Sequence, residues 1–150
     1  MKSQVKNVLK ICKVSENAKI PYQATEEAAG MDLCACIEGE ITIQPLKRAL
    51  IPTGISISLP AGMAAFIFAR SGLGIKHGIT LSNGVGVIDS DYRGEIGVGL
   101  CNLSDVPYTI KSGERIAQMV IMKVENPIIQ VVSYLDETAR GSGGFGSTGK

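Results

Sequence analysis

From Gly84 to Ile96 the chain runs Gly-Val-Gly-Val-Ile-Asp-Ser-Asp-Tyr-Arg-Gly-Glu-Ile, setting Asp89, Asp91, Tyr92, Arg93 and Glu95 close together between apolar residues. Carboxylates accept protons, tyrosine offers a flat ring, and arginine carries a permanent charge that pairs with oxyanions. Such a set suits general acid–base chemistry. Turn chemistry alone accounts for Ser90, Asp91 and Gly94, which all favour solvated turns. Asp89 follows directly on apolar and glycine residues. It is therefore expected to leave a sheet where water is scarce and a carboxylate can be tuned as a general base.

The flanking residues must position that set. Val85, Val87 and Ile88 are β-branched, and Ile96, Val98 and Leu100 alternate with Gly97, Gly99 and Cys101, so the segment is expected to form a hairpin with a functional tip. Other strand signals fall at 41–43, 55–59, 65–68, 116–124 and 128–132, separated by Pro45, Pro52, Pro60, Gly62, Pro107, Gly113 and Pro127. Only 70–75 invites a short helical turn. Many short strands with regular punctuation predict an all-β domain, a jelly-roll-like β-sandwich or barrel with one helical turn.

With 150 residues the chain can bury one core, so a single domain over 1–139 is expected, followed by a glycine-rich segment over 140–150. Fifteen basic and fourteen acidic residues, without a block of either sign, argue against a nucleic-acid partner. No apolar run reaches the length of a membrane span, and Lys10 and Lys13 interrupt any signal-peptide pattern, so a cytoplasmic protein is expected. Cys12, Cys34, Cys36 and Cys101 lack metal-knuckle spacing and are expected as buried free thiols in a reducing compartment. His77, the sole histidine, is expected to be structural.

The segment 140–150 contains five glycines and cannot build a core of its own. Left alone it is a flexible tail; with a ligand it becomes a lid, its amides forming an anion nest beside Arg140, Ser147 and Thr148. Phe145, an aromatic without local packing partners, favours the lid, because it can stack on a base. Gly144, Gly149 and Lys150 mimic part of a phosphate loop, but no Ser/Thr and helix follow.

Four more islands join these two: Ala29-Gly30-Met31-Asp32-Leu33, Arg70-Ser71-Gly72-Leu73, Leu81-Ser82-Asn83-Gly84, and Gly113-Glu114-Arg115-Ile116-Ala117-Gln118-Met119. In this order they resemble the five ordered motifs of the trimeric dUTPase family, over nearly the whole chain. The resemblance implies the family's β-clip fold and hydrolysis of dUTP to dUMP and pyrophosphate, which limits uracil in DNA and supplies dUMP for thymidylate synthesis. Mg²⁺ is the implied cofactor, and a homotrimer with shared active sites the implied assembly.

By the same resemblance, Asp89 is the base and Tyr92 stacks under the deoxyribose. Asn83 bonds uracil with the backbone of Gly86 and Gly97. Arg70, Ser71, Gly72 and Gln118 serve the phosphate chain. Asp32 acts on Mg²⁺ through water or by orienting neighbours, with Arg115 as an ion-pair partner. In the tail Arg140, Ser147 and Thr148 hold phosphates and Phe145 covers uracil. Two positions depart from the family pattern: Ala69, where proline is common, and Met31, where an aromatic is frequent. A dCTP deaminase relative would carry an acid on the strand after the hairpin, and 96–102 has none. The remaining alternative is a signalling protein that uses nucleotide as a gate.

Overall fold

The computed structural model describes residues 8–145. Its strands are β1 (Lys10–Lys13), β2 (Met31–Cys34), β3 (Glu40–Ile43), β4 (Arg48–Pro52), β5 (Ile55–Ser58), β6 (Met63–Phe68), β7 (Ile79–Leu81), β8 (Gly86–Ile88), β9 (Gly97–Asn102), β10 (Tyr108–Lys111) and β11 (Arg115–Lys123), with one helix, α1 (Ser71–His77), between β6 and β7. They form a four-stranded sheet in the order β2-β11-β6-β8, a three-stranded sheet β4-β9-β7, and the pairs β1-β5 and β10-β3. This is the expected all-β jelly-roll sandwich with its single short helix.

Period-two alternation drives the packing. In β5 and β9 every second side chain is buried, so Ile55, Ile57, Val98 and Leu100 enter one core together with Ile51, Ile110 and Met119. Each such side chain contributes roughly 1.5–3 kcal/mol on leaving water. Helix α1 is stopped by Gly78 at φ 66°, whose N–H donates to the Gly74 carbonyl.

Two expectations fail for identifiable reasons. The segment between β8 and β9 is not a hairpin: β8 pairs with β6, whereas β9 lies between β4 and β7. With both edges of β9 taken, β8 has nowhere to pair on it, and residues 89–96 cross between two sheets instead. The 128–132 run is not a strand either. Ile128, Ile129 and Val131 are almost fully exposed, because no strand edge among the described residues receives them. Short strands containing charged or turn-forming residues, such as β1 and β4, gave too weak an alternation to be read. Of the four free cysteines only Cys34 is buried; Cys12 is exposed, and Cys36 and Cys101 are intermediate.

Asn102 is a fully buried polar hub that composition did not reveal. Its Nδ2 donates to the Ile43 carbonyl at 2.9 Å and the Val106 carbonyl at 2.7 Å, and its Oδ1 accepts from Ser104 N at 2.9 Å and Ser104 Oγ at 2.7 Å. Asn102→Ala strands these groups and should destabilise the fold by about 2–4 kcal/mol. The midpoint of urea unfolding at fixed protein concentration measures it; an unchanged midpoint would show that the hub is dispensable.

Candidate active site

The turn Ser82-Asn83-Gly84 leads into β8, with Gly84 at φ 73°. In β8, Gly86 faces Ile67 of β6, and a Cβ on Gly86 would stand 3.0 Å from the Ile67 Cβ and 3.8 Å from Asn83 Nδ2. Glycine thus opens a slot beside the Asn83 amide. The slot holds about 110 Å³, bounded by Asn83, Gly86, Gly97 and Gly99 over Ile67 and Leu81. That is well below the ~300 Å³ at which whole small-molecule sites begin, and matches one part of a larger ligand.

An adjoining cleft of about 190 Å³ contains Asp89 and Tyr92 together with Val87, Ile88 and Gly97 of the slot. Its loop is internally braced. The Tyr92 N–H donates to the Asp89 carbonyl at 3.2 Å, and Arg93 Nη1 donates to the Ser90 and Tyr92 carbonyls at 2.8 and 3.0 Å. At its far end Glu95 Oε1 accepts from Gly54 N at 2.7 Å, and Ile96 N donates to the Ile55 carbonyl. Sequence reading missed the braces Arg93 and Glu95, although both stand in the run that drew attention. Asp89 itself is exposed in the single chain, contrary to the sheltered position expected. The crossover carries it off the edge of β8 rather than between strands.

A second cleft, about 300 Å³, gathers Gly30, Asp32, Arg70, Ser71, Gly72, Arg115 and Gln118. Asp32 is its organiser. Oδ1 accepts from Arg70 Nε at 3.1 Å and Oδ2 from Arg115 Nη1 at 3.2 Å, so one carboxylate fixes two guanidinium groups and leaves a net positive surface. The Asp32 bond in turn raises the pKa of Arg115 above the usual arginine value. Gln118 Nε2 donates to the Ala69 carbonyl at 3.0 Å, tying down the loop before Arg70 where the family's proline is missing. Gly30 belongs to one of the islands in the sequence, and a Cβ there would stand 2.9 Å from Gln118 Oε1, so a side chain at 30 would push that amide aside. Met31 packs against the core, and Arg115 is the ion-pair partner expected.

The Asp32 cleft shares no lining residue with the slot or with the Asp89–Tyr92 cleft. Met119 pairs with Ile67, which pairs with Gly86, and these share a face of the sheet; Gln118 pairs with Asp32 and Phe68 and points to the opposite face. The described part of the tail, 140–145, lines none of these clefts. Arg140 Nε donates to the Gly143 carbonyl at 2.8 Å, and Phe145 is fully exposed. Ser147 and Thr148 lie outside the described residues. His77 packs against Tyr108 with the rings tilted at 46° and their centroids 4.9 Å apart, and lines none of these clefts. Among the described residues no three His, Cys, Asp or Glu side chains form a metal cage.

A positively charged cleft and a glycine-lined slot running into an aspartate–tyrosine loop define a nucleotide-handling β-sandwich. The dUTPase family model matches residues 16–149, and the chain belongs to the dUTPase family. It is 55% identical over 132 residues to the deoxyuridine 5'-triphosphate nucleotidohydrolase of Desulfitobacterium hafniense, covering 87% of each chain. Against the enzyme of the same name from Cytophaga hutchinsonii it is 53% identical over 149 residues, covering 99% of this chain and 96% of the other. The Staphylococcus bacteriophage 80alpha dUTPase with dUPNHPP superposes at a TM-score of 0.88 with 27% identity, covering 95% and 99% of the two chains. A mutant dUTPase from phage phi11 of S. aureus, whose structure shows the coordination of a structural Mg(II) ion, superposes at 0.77 with 25% identity, covering 85% and 98%.

Cys34 stands two residues from Asp32 on β2, and burial pushes its thiol above the usual range, the nearby Lys19 opposing that shift. Little thiolate then exists at neutral pH. Iodoacetamide at pH 8, followed by peptide mass spectrometry, should modify exposed Cys12 at least about tenfold faster than Cys34. The Cys34 rate should keep climbing as pH rises past the ordinary thiol range. Equal rates at pH 8 would mean that Cys34 is accessible and ionised.

Proposed function

We propose that the protein hydrolyses dUTP to dUMP and pyrophosphate, with Asp89 taking a proton from the attacking water. One observation carries the reading: the Asn83 slot and the Asp89–Tyr92 cleft share Val87, Ile88 and Gly97, so a nucleoside seated in the first runs directly into the second. Uracil bonds Asn83 and the backbone of Gly86 and Gly97, and the narrow slot rejects a 5-methyl group. The deoxyribose lies on Tyr92, which leaves no room for a 2′-hydroxyl. As Asp89 accepts the proton, the water oxygen bonds the α-phosphorus, the bond to the bridging oxygen breaks in line, and pyrophosphate departs with that electron pair.

Arg70, Ser71, Gly72 and Gln118 hold the phosphate chain, with Arg70 and Arg115 pre-set by Asp32. Mg²⁺ neutralises charge on the phosphates when bound. Magnesium keeps waters and favours phosphate oxygens, and both Asp32 oxygens already accept from arginines, so Asp32 would serve the ion through water or by orienting its neighbours.

The assembly in this reading is a homotrimer with shared sites. Two observations support it: the base-reading slot and the phosphate cleft occupy opposite faces of one sheet, and the segment after β11 exposes Ile128, Ile129, Val131, Tyr134 and Leu135. Cyclic symmetry lets one subunit's phosphate cleft meet another's slot. Residues 140–150 act as a lid of the same domain, in which Arg140, Ser147 and Thr148 grip phosphate and Phe145 covers uracil. Among the described residues no helix is long and apolar enough to cross a membrane. Four free cysteines support a cytoplasmic location.

Pyrophosphate release from dUTP with Mg²⁺, compared with dTTP, dCTP and UTP, is the direct assay. Asp89→Asn should lower kcat by roughly 10²–10⁴-fold and leave binding of a non-hydrolysable dUTP analogue intact; near-normal turnover by the folded variant rules out this base. Refolding an Asp89→Asn chain together with a chain cut after Glu137 should restore activity above either variant alone. Mixed oligomers without that gain would refute site sharing between base and tail.

A further inference from the structure

Tyr92 is an exposed ring with little behind it. It borders two clefts: that of Asp89, and a second of about 330 Å³ between the ring, Leu50, Pro52, Glu95 and Gly97. A wall that must exclude one hydroxyl group cannot retreat, yet core packing does not back this one. Two local contacts fix its place. The Tyr92 hydroxyl donates to the Glu95 carbonyl at 3.1 Å, and the ring lies directly over Gly94. A Cβ on Gly94 would stand 2.3 Å from the Tyr92 Oη, 2.6 Å from Cζ and 3.1 Å from Cε2. Real Cβ atoms do not approach so closely, so any side chain at 94 must displace the ring. Backbone conformation does not explain the glycine, because Gly94 is not among the residues with positive φ.

We infer that Gly94 is a specificity-determining residue: its bare Cα seats the Tyr92 ring at the one distance that admits a deoxyribose and refuses a ribose. Gly94 is a positioning residue that acts through Tyr92 and touches no substrate. The inference rests on the reading of Tyr92 as the sugar wall. It adds that the wall is held from below by an absent side chain and at its tip by a backbone carbonyl. The empty cleft beside the ring makes the consequence specific, since a displaced ring has somewhere to go. Replacement at 94 should therefore relax selectivity rather than unfold the loop, which stays tied through Arg93 to Ser90 and through Glu95 to Gly54.

The test is the ratio of kcat/KM for dUTP to that for UTP, measured in the full-length protein with Mg²⁺ for wild type, Gly94→Ala, Tyr92→Ala and the double variant. Steric refusal of a single hydroxyl is worth on the order of 10²-fold. Gly94→Ala should lower the ratio by at least about tenfold, mostly through gained UTP turnover. In the Tyr92→Ala background the same substitution should change the ratio by less than about twofold, because no ring remains to displace. A folded Gly94→Ala protein with the wild-type ratio overturns the inference. So does an equal loss in both backgrounds, which would make Gly94 a backbone requirement. If Gly94→Ala alone fails to fold, the double variant decides: recovery of the Tyr92→Ala melting temperature supports the clash, and persistent misfolding refutes it. A wild-type enzyme that accepts UTP as readily as dUTP would instead refute the reading of Tyr92 on which the inference stands.

Discussion

Adjacent residues of a strand point to opposite faces of its sheet, and at Gln118 and Met119 that alternation sets the plan of the molecule. Met119 enters the core on the face that carries Ile67 and Gly86; Gln118 is then compelled to face Asp32 across the other surface. Gln118 and Asp32 are thereby put on the opposite side of one four-stranded sheet from Ile67 and Gly86. No side-chain rotation undoes this separation. A one-residue slip in register would exchange the two faces but never merge them. Under the proposed reading a whole site comes from more than one chain, and the parity of β11 is what supports that assembly.

Each half-site is made as much by omission as by placement. Gly86 leaves space between Ile67 and Asn83, Gly30 leaves space for the Gln118 amide, and Gly94 lets an aromatic ring lie on the backbone. None of the three has positive φ, so close approach is what each position demands. Glycine in or near strands sacrifices packing and backbone entropy, a cost of roughly 0.5–1 kcal/mol at each position relative to alanine. Hydrogen bonds around the same places offset it: Gln118 to Ala69, Glu95 to Gly54, Arg93 to Ser90. Asp32 does the equivalent electrostatically, since two nearby guanidinium groups would repel each other without the carboxylate between them.

The sequence was legible where chemistry and local pattern coincide. Six ordered islands disclosed the fold class and the family, and the alternation in 55–59 and 96–100 disclosed core strands. What stayed hidden was relational. Nothing in Val85 to Leu100 states that β9 already has neighbours on both edges, so a hairpin was the natural reading of two strands joined by a turn. Nor does the apolar run 128–132 state that the described residues offer it no partner strand. Arg93 and Glu95 look like ordinary turn residues until their acceptor and donor, the Ser90 carbonyl and Gly54 N–H, are in view. Pairings distant in sequence leave no local trace, and they decide where each readable motif finally faces.

The segment after β11 fits the same logic of incompleteness. Its internal bonds are short-range, Arg140 to Gly143 and Gly141 to Thr138, and they form turns without anchoring the segment to the sheets. Its apolar side chains stay in water, a state that gains free energy on any contact burying them. Under the proposed reading, ordering of this segment draws on surfaces outside its own subunit: a neighbouring chain for 128–135, and a bound triphosphate for the glycine-rich end. Glycine makes that end costly to immobilise, so charge on the outer phosphates is what can hold it down. Loss of those phosphates as pyrophosphate removes the anchor in the same step that makes product, and under the proposed reaction the lid is released by the chemistry it covers.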